Sequence, residues 1–524
     1  MFVIIIRHKL LCSWIIAGLL SIAQFGNASC NIQIVSAGPC LTDGTYGIPK
    51  VGDPYGLKIV FNVVGTPSQP FGVKWTMANW TNTTGNFVAS SGYGKNPYTL
   101  PFLNLDDSIP WSVTLDPNGV SGNTNPVTTI GGTFTPVPPA TAVELYSPRL
   151  INGSQVCTLS NLPGSGPINY LVEVIGYPTS HGAQKIISVN MPSNSQYLVT
   201  APSGVPVLAI MRTNIPVGAT FKDSVSFVAQ LYSIRVNPTI LRTATWADMN
   251  TLTTNWTQWL AADPVCESTN AAIIKFVQQS LPANYKTILT PYDAARTLHR
   301  AVMKALTYNA NSPASDAVGV LQAGQAECGG FAALLTACYR NVGIPARPIS
   351  GDYQGSGYQG HLMVEFHLPG AEWLLSDVTG GNNADPTGTY AYCFCVFWYA
   401  NTFFAMDVGD DHVMPSSFYP PYNSLPQLGT DAKAWWAASV TNMAYTAQTI
   451  IQGIPYLWPS NGTNRSFDLY LSDVTNQGSV VIEASTNFLA WAPVATNPAA
   501  GSPLSYSFST TNMPRRFYRA KIIP

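Results

Sequence analysis

In the stretch QAECGGFAALLTACYRNVGIPAR, residues 325–347, Cys328 stands just ahead of an apolar-periodic run and is followed by Gly329 and Gly330. A thiol at a helix N-terminus meets unpaired backbone N–H groups and the positive end of the helix dipole, and both favour the thiolate. Two glycines beside it let a substrate backbone come close. A thiol nucleophile needs a base, and the base needs a group that orients it. The stretch GHLMVEFHLPGAEWLLSDVT, residues 360–379, offers His361 as the base and Asp377 as the orienter. Such a set performs attack of sulfur on a carbonyl carbon, with the imidazole moving the proton.

Positioning falls to a helix and a hairpin. Phe331, Leu334, Leu335, Cys338, Tyr339 and Val342 recur at helical spacing, so the periodicity predicts one helix with Cys328 at its start and Cys338 in its buried stripe. Gly343 suits the helix stop, and Pro345 follows it. HLMVEFHL and EWLLSDV read as two strands joined by a turn containing Pro369 and Gly370. Alternation puts His361, Met363, Glu365 and His367 on one strand face. A three-residue loop over 368–370 sets His361 opposite Asp377, whereas a two-residue loop over 369–370 sends them to opposite faces. The spacing is thus compatible with the pair and does not force it. His367 lies about 20 Å along the strand from His361, too far to serve the same thiol, and is assigned to the surface beside the turn. Glu365 is read as a solvated strand carboxylate, with an outer supporting or substrate-contacting role as its alternative. A preceding helix, TPYDAARTLHRAVMKALTY over 290–308, has Thr290 as its cap, Pro291 in first position and Asp293 in the first turn, and His299 is placed on its surface.

Taken in order, these pieces resemble the transglutaminase-like superfamily. YDAARTLHRAVMKALTY, ECGGFAALLTACYRNVGIPARPISGDY, GHLMVEF and EWLLSDVT carry the resemblance, which extends over 245–425 at most. It implies a papain-like α+β core in which Cys328 is the nucleophile, His361 the base and Asp377 the orienter. It also implies an oxyanion hole made by the Cys328 backbone N–H and one upstream donor, Gln322 or Gln325. The implied activity is that of a cysteine amide hydrolase or acyltransferase working through a thioester, with no metal and no cofactor. The chain departs from the family at Ala326, where members often have Gly, and at Met363, where they often have an aromatic residue. The first changes the backbone before the nucleophile, and the second one wall of the groove.

The remainder of the 524-residue chain sets the context. Residues 1–28 place Arg7 and Lys9 before a short apolar run and end on the small residues Gly26 and Ala28, the layout of a cleaved secretory signal peptide. NASC, ending at Cys30, has a faint lipoprotein look. Residues 29–138 and 139–244 read as two β-rich, sandwich-like regions of short strands between turn clusters such as DPNGVSGNTNP, 116–126. Residues 245–425 form the α+β domain, 426–460 a linker or helical segment, and 461–524 a small β module similar to those that end large secreted bacterial proteins. The expected fold is therefore multi-domain: all-β regions, a central transglutaminase-like domain and a C-terminal β module. Only 10% of residues are charged, the net charge is −1 and no basic block follows the leader, which excludes a nucleic-acid partner. No later segment is long enough to span a bilayer. The expected setting is secreted or extracytoplasmic, with a protein or peptide substrate and a cell surface or polysaccharide met by the β domains. Export permits disulfides, and Cys30 and Cys40 are read as able to close a small loop. CFC, 393–395, sets two thiols on one strand face with a core or disulfide role, and DVGDDH, 407–412, is a solvated turn. The competing reading is a non-enzymatic adhesion or scaffold protein that keeps the central fold as a binding module.

Overall fold

The computed structural model describes residues 30–523 with interruptions, the longest at 97–107, 117–127, 396–402, 414–426 and 510–516. The leader over 1–28, the turn after Asp116 and the middle of the acidic 407–412 segment lie outside the described residues. The chain is β-rich and divides into two compact units. Among the described residues up to 136, all but 50–53 make up the first. It holds a three-stranded sheet ordered Cys30–Leu41, Tyr55–Gly65, Ser91–Asn96 and a four-stranded sheet ordered Trp80–Phe87, Phe71–Met77, Ile109–Asp116, Thr128–Phe134. Cys30 and Cys40 occupy opposite ends of one strand. Ten extended residues separate them by about 33 Å, far beyond the reach of a disulfide, so the expected small loop does not form.

The second unit begins with two four-stranded sheets. One is ordered Gln184–Asn190, Thr220–Val236, Val143–Asn161, Met443–Ile454, and the other Tyr197–Thr200, Pro206–Ile215, Ile168–Gly176, Lys433–Ala437. Alternate residues of Val143–Asn161 and Thr220–Val236 are buried, and Cys157 and Val225 of the first sheet share a core with Leu208 and Ile210 of the second. The last strand of each sheet comes from beyond residue 430. The described residues of the segment expected as a linker or helical segment over 426–460 are strand: the aromatic and β-branched runs KAWWA and YTAQTII suit a pleated surface better than a helix. The 139–244 region is not complete by itself. The segment from Pro238 to Val408 is inserted between strands of the same two sheets. At the C-terminus, two three-stranded sheets pack through Leu469, Leu471 and Tyr506 on one and Val480 and Ile482 on the other.

The inserted domain is α+β. The helices that frame the site are α1 (Ala271–Ser280), α2 (Pro291–Ala305), α3 (Ala317–Ala323), α4 (Cys328–Val342) and α5 (Val378–Ala384). Its antiparallel sheet is built of β1 (Ala346–Tyr353), β2 (His361–His367), β3 (Trp373–Ser376) and β4 (Phe403–Val408), in the order β3-β2-β1-β4. The local signals act as expected. Thr290 caps α2 by accepting from the Asp293 N–H, with Pro291 next, and Gly343 ends α4 in the left-handed region at φ 92°. Beyond its apolar stripe, α4 also buries Ala332, Ala333, Thr336, Ala337 and Arg340, so it is a central helix with no solvent face over most of its length. Arg340 is tolerated there because its guanidinium donates to the Ala346 and Ala261 carbonyls and pairs with Asp263.

Two contacts fasten this sheet to the preceding β layers. The Gln184 side-chain amide donates to the Ala405 carbonyl and accepts from the Ala405 N–H, both at 2.9 Å, so it extends the β4 ladder as a peptide group would. Glu365 of β2, expected to be solvated, is 1% exposed. Its carboxylate receives His181 Nδ1 at 2.7 Å and Arg347 at 2.9 and 3.1 Å, while the Arg347 guanidinium lies 3.9 Å over the Trp373 ring. Burial alone would raise the Glu365 carboxyl, but His181 and Arg347 outweigh it and hold it at about 2. A depressed carboxyl stabilises the fold above its unfolded value and loses that contribution as pH falls towards 2. Arg347→Met is accordingly expected to cost about 3–5 kcal/mol in urea unfolding at neutral pH, because it strands a buried charge. The gap from wild type should narrow as pH drops below the ordinary carboxyl range; a gap of under ~1 kcal/mol at neutral pH would be no more than a surface pair provides.

Candidate active site

Cys328 is the first residue of α4 and is 8% exposed. Glu327 precedes it as the helix cap, its Oε2 accepting from Gly329 N–H at 2.8 Å and its Oε1 from Gly330 N–H at 3.1 Å. The two glycines serve packing here. A Cβ on Gly329 would meet Glu327 Oε1 at 2.6 Å, and one on Gly330 would meet Val320 and Ala326 at 2.6 and 2.8 Å. They make room for the cap and for the close approach of α3.

His361 opens β2, and the N–H of the preceding Gly360 is held by Asp352 Oδ1 at 2.8 Å. Asp377 caps α5, its Oδ1 accepting from Gly380 N–H at 2.8 Å. Its Oδ2 lies 3.0 Å from His361 Nε2. Cys328 lies close enough to the same imidazole to help raise its pKa. The three residues singled out by sequence therefore come together, but by a different register. β2 and β3 pair as Val364 with Ser376, Phe366 with Leu374 and His367 with Trp373, leaving a five-residue loop over 368–372 instead of two or three. Continuing that register places Asp377 across from Met363, a diagonal neighbour of His361 on the same face and within reach of its ring.

Burial would push the His361 imidazole down; the Asp377 carboxylate and the Cys328 contact reverse this and raise it to about 10. A raised histidine contributes stability fully below its unfolded value and loses it as pH climbs towards 10. Cys338 differs: burial with no charged partner pushes its thiol far up, which suits a core residue.

The elements behind Asp377 hold surprises for sequence reasoning. His299, expected on the helix surface, is fully buried. Its Nε2 lies 2.8 Å from the Tyr392 carbonyl and its Nδ1 2.8 Å from Ser376 Oγ. A carbonyl only accepts, so Nε2 carries the proton and Nδ1 accepts from the serine hydroxyl. Residues 392–395 run beside β3: the Asp377 N–H donates to the Cys393 carbonyl and the Cys395 N–H to the Leu375 carbonyl. The CFC segment is not a strand with two thiols on one face. Cys393 and Cys395 both have positive φ, 57° and 59°, and Phe394 between them packs with Tyr292, His299 and Phe366. A Cβ on Gly381 would come within 2.7 Å of the Tyr392 carbonyl and 3.1 Å of His299 Nε2, so α5 needs glycine there. His299 could have been found from its spacing with Tyr292, Ala295 and Met303 on one helix face, and Glu327 from its place immediately before the helix.

His367 sits between Trp256 and Trp373, with ring centroids 5.2 and 5.4 Å away, and takes no part in the site. Gln322 is an exposed residue of α3. Gln325 lies between α3 and α4 with its Oε1 accepting from Asn309 at 3.2 Å. Among the described residues neither glutamine is hydrogen-bonded to Cys328.

This order of elements and side chains agrees with the match of residues 279–378 to the model of the transglutaminase-like superfamily. The segment is a transglutaminase-like domain. No curated protein matches the chain. Among solved structures it is similar to a candidate cysteine protease from Cytophaga hutchinsonii, at 14% identity and TM-score 0.40 over 59% of this chain and 93% of that one. It is also similar to a TGase at 16% identity and TM-score 0.18, over 30% of this chain and 41% of that one. A third likeness, to a candidate protease from Parabacteroides distasonis, has 14% identity and TM-score 0.17 over 66% and 56%. Scores of this size carry no weight for function; the assignment of the transglutaminase-like domain rests on the family match.

Burial holds the His299 imidazole down at about 4. A histidine kept neutral in the fold supports it fully above the ordinary histidine range and loses that support as pH falls from about 6.5 towards 4. His299→Gln should therefore reduce the fall in unfolding free energy over that interval by close to one proton, about 1.4 kcal/mol per pH unit, in urea titrations at a series of pH values. Parallel profiles for the two proteins would show that His299 is not buried neutral.

Proposed function

We propose that the protein is an exported thiol enzyme that cleaves amide bonds of proteins or peptides through Cys328, His361 and Asp377. The observation that carries this reading is the 3.0 Å hydrogen bond between Asp377 and His361, with Cys328 near enough to raise the same imidazole. His361 takes the thiol proton, and the sulfur adds to the amide carbonyl carbon, sending the carbonyl electron pair onto oxygen. The Gly329 and Gly330 amides are engaged by Glu327, which leaves the Cys328 backbone N–H as the donor at the head of α4 for that oxyanion. Collapse breaks the C–N bond, the leaving amine takes the proton from His361, and an acyl thioester stays on Cys328. Water then adds to the thioester, passing its proton to His361, and a second collapse releases the carboxylic acid and restores the thiol. An amine in place of water gives cross-linking. Water needs no binding site of its own, so hydrolysis is the leading activity. Export is read from the leader over 1–28, and the β domains are assigned to contact with a cell surface or polysaccharide as part of this proposal.

Two measurements test this. Iodoacetamide should label Cys328 rapidly near neutral pH, and His361→Ala should slow that labelling by about a hundredfold, the scale of general-base assistance. A screen of peptides and amine donors should show amide cleavage that Cys328→Ala abolishes. Slow labelling, equal in wild type and His361→Ala, would remove the support for an enzyme.

A further inference from the structure

Glu327 does more than cap a helix. Its Oε2 is 3.2 Å from Cys328 Sγ, so the reacting sulfur has a carboxylate in direct contact. The carboxylate is fixed in place. Two backbone N–H groups hold it, and the absent Cβ of Gly329 leaves the space that it fills. Among the described residues its polar partners are those two amides and the thiol, and none is a cation. Asp377 is different, since its charge is matched by the histidine it orients. A second acidic group, Asp352, holds the Gly360 N–H next to His361 in the chain. The reacting sulfur thus has beside it a carboxylate whose own hydrogen-bond partners, among the described residues, include no cation.

We infer that Glu327 sets the charge selectivity of the site: it admits acyl donors that are neutral or cationic next to the scissile carbonyl and rejects those that carry a carboxylate there. This rests on the thiol-enzyme reading above and names the substrate class that the site takes. Attack requires the carbonyl carbon to come within roughly 3–3.5 Å of sulfur. Substituents on that carbon are then a few ångströms from Oε2, where like charges repel strongly at the edge of a protein. Amides flanked by Asp or Glu, and amides whose leaving amine bears a free carboxylate, are the poor substrates. Peptide bonds within a chain, flanked by neutral or basic side chains, are the good ones.

The test compares two alkylating reagents of similar shape and different charge on the full chain, with modification of Cys328 read by peptide mass spectrometry. Wild type should react with neutral iodoacetamide in clear preference to anionic iodoacetate at low ionic strength. Glu327→Gln, which keeps an oxygen acceptor for one of the two glycine amides and removes the charge, should raise the iodoacetate-to-iodoacetamide rate ratio roughly fivefold. Glu327→Asp keeps the charge and should stay near the wild-type ratio. Added salt should raise the wild-type ratio by screening the carboxylate, a measurement that needs no variant and stands if Glu327→Gln fails to fold. A ratio unchanged by both Glu327→Gln and salt overturns the selectivity role. Loss of the proposed activity shows up separately, as an iodoacetamide rate insensitive to His361→Ala.

Discussion

A buried imidazole keeps its proton only when a negative charge is buried with it, and the His361–Asp377 pair is the contact around which the inserted domain is arranged. Two charges removed from water cost several kcal/mol each unless their remaining hydrogen-bonding capacity is met. That capacity is met by structure close to the pair. Asp377 sits at the N-terminus of α5, where the amide of Gly380 and the helix dipole support its charge. Its own N–H is held by the Cys393 carbonyl, and the strand behind it is braced by a neutral histidine bonded to Ser376. The site residues lie at element ends, while the rigidity comes from the elements themselves.

Strand β2 carries a second buried charge system, with Glu365 four residues beyond His361. One end of the strand holds the His361–Asp377 pair, and the other is fastened through Glu365 to His181 of the β layers. The Gln184 amide adds a second fastening at β4. Positions 361 and 365 share a strand face, so a shift of β2 that broke one pair would displace the other. The β layers are therefore part of what keeps the imidazole beside the thiol.

What could be read from the sequence was local. The Thr290 cap with Pro291, the Gly343 stop and the apolar stripe of α4 depend on residues within a few positions, and each acts in the structure as its chemistry suggests. The grouping of Cys328, His361 and Asp377 was legible as a set of residue types, but its register was not. Loop 368–372 has a length that the hairpin sequence leaves open. Burial of a titratable side chain is not legible in the sequence where its partner is distant in the chain. Glu365 is matched by His181, 184 residues away, and His299 by Ser376, 77 residues away. The strands in 433–454 were missed for the same reason, since the sheets they join were laid down before the insertion began. CFC deceived because two left-handed residues at the cysteines replace the alternation that a strand would impose.

The placement of the insertion bears on how the chain can be made. Val143–Asn161 pairs on one side with Thr220–Val236 and on the other with Met443–Ile454. From Val236 to Met443 is 443 − 236 = 207 positions along the chain. At about 5–20 residues per second, a nascent chain waits roughly 10–40 s between completing the first three strands of that sheet and producing the fourth. Through that interval a long strand presents an open ladder of N–H and C=O groups, the kind of edge that pairs with other chains. The thiol-bearing domain is complete before the sheet that flanks it, so its folding clock runs ahead of its support.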